Sequence, residues 1–385
     1  MTDGLTWTAV GGRRLARNML VAPSSDARPA DVAAAMCGTH AQVMAAAEVS
    51  IALRIEHGTR RDVQAALWTE HSLIKTYGLR GTVHVFPARD LAMWTAALAA
   101  VPSRIGAYRE GIRLTDDESG RIVEAMAAAL EVSELTADEL EAEIVSRVGA
   151  WAAERSVEAF TSAWPRWRLA LYDAAAKGIV CFGANRGSKV TWTSVQRLIP
   201  GFAPMERDEA VRALVRAYLR AYGPSTPQWF ARWVAGPKRW ADDAFASLRD
   251  ELAEVDVEGT RAWLVADDGR FDAPPSRGVR LLPYFDAYTI AWQPRELMFS
   301  GRAAERALAG GQAGTVPVLL VDGVVTGLWH HRKSAMKLAI TIEPFAHLRP
   351  SQREELDAQV ARLGEIWDVP AEVTLSQASA SSVPI

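Results

Sequence analysis

Cysteine is nearly absent from this chain: Cys37 and Cys181 are the only two among 385 residues. They stand far apart and follow no metal-ligand spacing, which excludes a disulfide framework and a cysteine-built zinc site. Lysine is scarce too, at 6 of 43 basic residues. With abundant alanine, that balance reads as the mark of a G·C-rich genome, so the arginine excess alone is not a binding signal. No run of about 18 apolar residues is present, and the N-terminus has no charged-then-apolar leader. A soluble, cytoplasmic protein is expected. Hydrophobic residues are not lacking: they make up 49% of the chain, ample for cores in about two to three domains.

The net charge of −3 hides an uneven distribution. Residues 1–110 carry +3, residues 111–160 carry −8 and residues 161–240 carry +9. A basic block beside an acidic one suits one face that meets phosphates and another that is solvated. Solvated helix faces alone also produce such blocks.

The order of expected elements recurs. Helices over 6–20, 29–36, 45–56 and 60–68 precede two β-prone runs, 72–77 and 82–86, joined by Gly78-Leu79-Arg80-Gly81. Thr59 is a good N-cap, with Asp62 three residues on. Helices from 114 and from 136, and a third over 164–176, precede strands 178–182 and 189–192 around a Gly-rich basic turn. Helices over 210–221, 227–234 and 238–252 precede a hairpin over 255–257 and 262–266. Helices followed by a short hairpin are the layout of a winged helix-turn-helix. Beyond Pro274 come β-prone runs at 279–282, 316–321, 324–328 and 339–342, with a strong hairpin signal at Asp322-Gly323 and a helix over 351–363. The expected fold is therefore α+β, mainly α. It has three tandem winged helices in a curved arrangement (5–105, 112–205 and 206–273), a small C-terminal β-rich domain (274–372) and a disordered tail (373–385).

The most informative segment is His40-Ala41-Gln42, just after Gly38. Side chains two apart share a side in extended backbone but lie about 200° apart on a helix. The pair can act together only where the chain is not helical, and Gly38 supplies a helix end. Three further segments stand out: Arg80-Gly81-Thr82-Val83-His84, Leu281-Leu282-Pro283-Tyr284-Phe285-Asp286-Ala287-Tyr288, and Leu320-Val321-Asp322-Gly323-Val324-Val325-Thr326-Gly327.

Together these segments resemble the AlkZ/YcaQ family of winged-helix bacterial DNA glycosylases, over about residues 5–370. The resemblance implies excision of alkylated purines from double-stranded DNA, including bulky adducts and interstrand crosslinks at guanine N7. It also implies a nucleoid-associated location and, in some members, protection of an antibiotic producer from its own product. The family's catalytic motif is Gln-apolar-Gln or Gln-apolar-Asp; here its first position is His40 and its last is Gln42.

The chemistry tolerates that change. N7-alkylation makes the guanine cationic, so the base departs neutral and needs little acid help. What remains is a sugar with oxocarbenium character and a water to attack C1′. The Gln42 amide offers an acceptor and donors to hold that water. A neutral His40 can accept a proton or position the water, whereas a charged one opposes the transition state. No lysine neighbours the motif, so a Schiff-base lyase step is not expected. The competing reading of His40 is a cap on helix carbonyls.

Other candidates carry paired readings. Arg80 suits a phosphate or a contact within its turn; His84, on the same strand side as Thr82, suits the site or a core hydrogen bond. Asp286 suits the orientation of a catalytic or DNA-binding side chain, or a clamp on backbone or arginine; Tyr288 shares its side. Arg186 and Lys189 at the Gly-rich turn, and His330, His331, Arg332 and Lys333 after Trp329, suit phosphates. Adjacent histidines point apart on a strand, so no metal is expected there, and no cofactor anywhere. The remaining alternative is a non-catalytic winged-helix DNA-binding regulator. Regulators ordinarily dimerise to read paired half-sites, and the absence of a heptad or other dimerisation segment favours a monomer.

Overall fold

Capping chemistry sets most helix starts. Thr115 and Thr136 each accept from the backbone N–H three residues on, and Glu118 and Glu139 return the bond, which fixes the helices Asp116–Val132 and Ala137–Val148. The computed structural model describes residues 5–102, 113–158, 163–269, 271, 277–308 and 310–376. These fall into two compact units, one built from 1–64, 217–229 and 250–385 and the other from 65–216 and 230–249. The fold is mixed, with helices and strands in both. Among the described residues no helix is long and apolar enough to cross a membrane.

The first unit centres on a five-stranded sheet. Val279–Leu282, Val318–Val321, Val324–Lys333 and Leu338–Pro344 run antiparallel in that order, and Ala371–Leu375 adds in parallel to Leu338–Pro344. Alternation along the strands gives it two apolar faces. Leu281, Leu319, Ile340 and Ile342 face the helix Pro350–Trp367 through Leu356, Val360 and Leu363. Leu282, Leu320 and Leu328 pack with Tyr288, Trp292 and Phe299. The Asp322-Gly323 turn has positive φ at both residues, as a two-residue hairpin requires.

Helix Trp7–Arg17 is tied in by Arg14. Its buried guanidinium donates to the carbonyls of Tyr222, Pro224 and Gln293 at 2.7, 2.9 and 2.5 Å. Burial lowers its pKa to about 10.

The second unit holds the hairpin of Leu73–Tyr77 with Val83–Pro87 and the hairpin of Val180–Phe182 with Thr191–Ser194. Its core joins Ile122, Met126, Leu130, Leu140 and Ile144 to Trp167, Phe182 and Trp192. Gly78 is required at the first hairpin's turn, because a Cβ there would lie 2.7 Å from the Phe86 ring and 2.8 Å from that of His84.

Three expectations need correction. The helix over 164–176 is confined to Leu171–Ala176. Before it come a strand, Ala163–Pro165, paired with Arg155–Glu158, and a 3-10 turn, Arg166–Ala170. Pro165 takes an extended ψ of 149° and so closes a strand instead of opening a helix. The expected tail from 373 begins too early, since Ala371–Leu375 is paired into the sheet; residues 377–385 lie outside the described residues. The strand from Val324 continues to Lys333, with Gly327–Lys333 paired to Leu338–Pro344. The short helices Ala287–Ala291, Arg295–Met298 and Arg302–Ala307 were not anticipated.

Candidate active site

The helix Pro29–Ala35 ends in a left-handed turn, with φ of 54° at Cys37 and 88° at Gly38. The chain then runs extended through Thr39–His40, bends at Gln42 and Val43, and enters the helix Met44–Ala52. The motif is thus non-helical, the condition for His40 and Gln42 to act on one point. Their exposures differ: His40 is 8% exposed, whereas Gln42 is open to solvent.

His40 is held from two sides. Its ring stacks on Phe285, with centroids 4.5 Å apart and planes 22° off parallel. Its Nδ1 accepts from the Gln42 backbone N–H at 3.4 Å. A ring nitrogen that accepts carries no proton, so this contact belongs to the neutral imidazole.

Phe285 itself sits at φ 56°, a region that bulky residues avoid. Its N–H donates to the Gly314 carbonyl at 2.8 Å, and a Cβ on Gly314 would lie 3.2 Å from the Phe285 Cα and 2.9 Å from Ile290. Gly314 is therefore what lets Phe285 seat against the histidine.

Beneath them lies Asp286, fully buried. Its two oxygens accept from the Arg54 Nη atoms at 2.9 Å each, and one also accepts from Ser50 Oγ at 2.6 Å. Asp286 caps the helix Ala287–Ala291 by accepting from the Tyr288 N–H at 3.0 Å. Arg54 donates further to the carbonyls of Asn18 and Ser50. Asp286 is thus an arginine clamp, which joins the helix following the motif to the loop bearing Phe285. Tyr288 is fully buried beside Trp292, its hydroxyl has no partner among the described residues, and burial raises its pKa.

The late strand belongs to the same unit. His330, Arg332 and Lys333 are exposed, and His331 is half-buried against Trp329 and Trp367. Burial, then Arg60, then His330 lower the His331 pKa. Arg60 lies 4.0 Å over Trp367 and pairs with the buried Glu48.

The other candidates lie in the second unit. Arg80, at φ 59°, donates to the Trp233 carbonyl at 2.8 Å. Thr82 Oγ1 donates to the Leu79 carbonyl at 3.0 Å. His84 is buried, lies 3.0 Å from the Thr82 carbonyl through Nδ1 and stacks on Phe86. Arg186 pairs with Glu139, and Lys189 with Asp138 at 2.9 Å. Glu139 is lowered to about 2 by the Thr136 backbone N–H, then by Arg186 and the Thr136 hydroxyl.

Phe285, Ser50 and Arg54 were missed as parts of the site. Phe285 lay inside a segment already singled out, but nothing local shows which ring it touches. Among the described residues, no three His, Cys, Asp or Glu side chains converge as metal ligands.

Comparison with known proteins adds the chemistry. The family model described as DNA glycosylase AlkZ-like matches residues 33–366. A curated relative from Streptomyces sahachiroi, described as an interstrand DNA cross-link repair glycosylase, is 29% identical over 381 residues, covering 96% of this chain and 99% of the relative. The solved structure of Streptomyces sahachiroi DNA glycosylase AlkZ superposes with a TM-score of 0.83 at 27% identity, covering 97% of this chain and 100% of that one.

Proposed function

We propose, from the premise that the chain belongs to the AlkZ-like DNA glycosylase family, that it hydrolyses the N-glycosidic bond of N7-alkylated purines in double-stranded DNA. Bulky adducts and interstrand crosslinks fall within that class, as the relative's description suggests. The finer architecture in this reading is three tandem winged helices with a β-rich C-terminal domain, acting as a monomer.

Gln42 holds the attacking water: its amide oxygen accepts from a water O–H, and its NH2 donates to one lone pair of the water oxygen, leaving the other to attack. Neutral His40 fixes the second direction. The cationic purine departs neutral as the water oxygen bonds to C1′, and the water's surplus proton passes to solvent. No amine attacks the sugar, so the product is an intact abasic strand and the enzyme is monofunctional.

The observation that carries the reading is the exposed Gln42 carboxamide beside a histidine pinned flat by Phe285, in backbone that is not helical. The family membership supplies the bond that is cut. The experiment incubates the protein with duplexes bearing N7-methylguanine or a bulkier N7 adduct, then cleaves abasic sites with alkali. Strand scission only after alkali is expected. Intact strands across all adducts would contradict the reaction, and scission without alkali would contradict its monofunctional nature.

A further inference from the structure

The second unit contains a cation that the sequence did not single out. Arg168 lies in the 3-10 turn Arg166–Ala170, within the basic block 161–240. Its guanidinium carbon sits 5.5 Å from the ring centres of Trp164 and Trp167 and 6.0 Å from that of Trp192. Its Nε is buried with no hydrogen-bond partner, and among the described residues its side chain meets rings and no carboxylate. Three indole faces attract the charge, yet they accept none of its N–H groups in the way an oxygen does.

Its neighbours are arranged differently. Arg186 and Lys189 each have a carboxylate, and Arg166 pairs with Glu118. Trp167 is fully buried and donates through Nε1 to Glu141, so it is a fixed wall. Trp164 is different: it is 41% exposed on the strand Ala163–Pro165. Tyr77, on the hairpin strand Leu73–Tyr77, completes the surroundings; burial raises its hydroxyl to about 12 and the Arg168 charge opposes that shift.

We propose that Arg168 and Trp164 form a DNA-strand grip: the guanidinium takes a backbone phosphate, and the exposed indole packs on the adjoining sugar or base. A planar cation held between rings has little rotamer freedom left to lose on binding, and its donors suit phosphate oxygens. An aromatic beside a basic group is the combination that nucleic acid strands bind without sequence preference. The proposal rests on the reading of the chain as an enzyme that acts on DNA, but not on which lesion it excises.

The test measures equilibrium binding of the full chain to undamaged duplex DNA across a salt series, for wild type, Arg168→Gln, Trp164→Ala and Arg186→Gln. Arg168→Gln is expected to weaken binding about tenfold and to reduce the slope of log K against log salt by about 1, as loss of one phosphate contact does. Trp164→Ala is expected to weaken binding about fivefold with the slope unchanged. Arg186→Gln should leave the slope within about 0.3 of wild type, because Glu139 already balances that charge. Folded Arg168→Gln with wild-type affinity and slope overturns the proposal. Should Arg168→Gln fail to fold, Trp164→Ala decides, since its side chain is exposed: unchanged affinity overturns the grip and the stated loss supports it. A chain that binds duplex through Arg168 yet excises no adduct contradicts the glycosylase reading and leaves the grip standing.

Discussion

Two arginine–carboxylate pairs show how differently one chemistry is used. Beneath the motif, Arg54 and Asp286 are both 0% exposed, doubly hydrogen-bonded, and joined by Ser50 and backbone carbonyls. At the Gly-rich turn, Arg186 and Glu139 are 48% and 46% exposed, with Lys189 and Asp138 alongside. The buried pair is architecture, because losing either partner strands a charge away from water. The exposed pair contributes little to folding and is screened by salt. Its main consequence is electrostatic: together with the Lys189–Asp138 pair it cancels two cations that the sequence presents as free for phosphates. The acidic segment 111–160 supplies both carboxylates, so the charge blocks seen in the sequence partly neutralise one another in space.

This contrast can be broken in four places. The largest effect is expected for Asp286→Ala, which should cost about 3–5 kcal/mol of unfolding free energy because Arg54 is left buried and unpaired. Denaturant unfolding checks it, and a loss below about 1 kcal/mol would remove the clamp from the account.

Next comes Glu139→Gln with Asp138→Asn. Freeing Arg186 and Lys189 should tighten duplex binding several-fold and steepen its salt slope by up to about 2. No change would mean that the turn never meets DNA.

A pH titration sharpens the same pair. Glu139 is lowered from 4.5 to about 2, so its contribution is complete above pH 4.5 and is lost as pH falls through about 2. Carboxylate NMR should show that low midpoint, and Arg186→Gln should raise it.

The smallest effect is expected for His331→Asn. Burial, with Arg60 and His330, favours the neutral ring, so its proton should come on only below the usual 6.5, and its removal should not alter the salt slope at neutral pH. A slope reduced by about 1 at pH 7.5 would show a charged phosphate contact instead.

Legibility in the sequence followed locality. The strand Val279–Leu282 and the helices Arg60–Trp68 and Pro227–Val234 were readable to the residue, and Thr115 and Thr136 marked their helix starts, because caps and apolar periods lie within a few positions. The strand Ala371–Leu375 was not readable: its parallel partner lies more than thirty residues upstream and no turn announces the pairing. The Arg155–Glu158 and Ala163–Pro165 hairpin was hidden by Pro165, which suits a helix's first turn as well as a strand's end. In the site, Gly38 gave away the extended motif. The Phe285 stack and the Arg54 clamp are contacts across more than 200 residues, so only the fold reveals them.

The most direct measurement is the single-turnover rate of excision of N7-methylguanine from duplex DNA by wild type and Gln42→Ala, with the affinity of each for the same duplex. An exposed amide that aims water should be worth at least about a hundredfold in rate, as other transition-state hydrogen bonds are, while affinity stays within about threefold. Unchanged excision by folded Gln42→Ala would contradict the account at its centre.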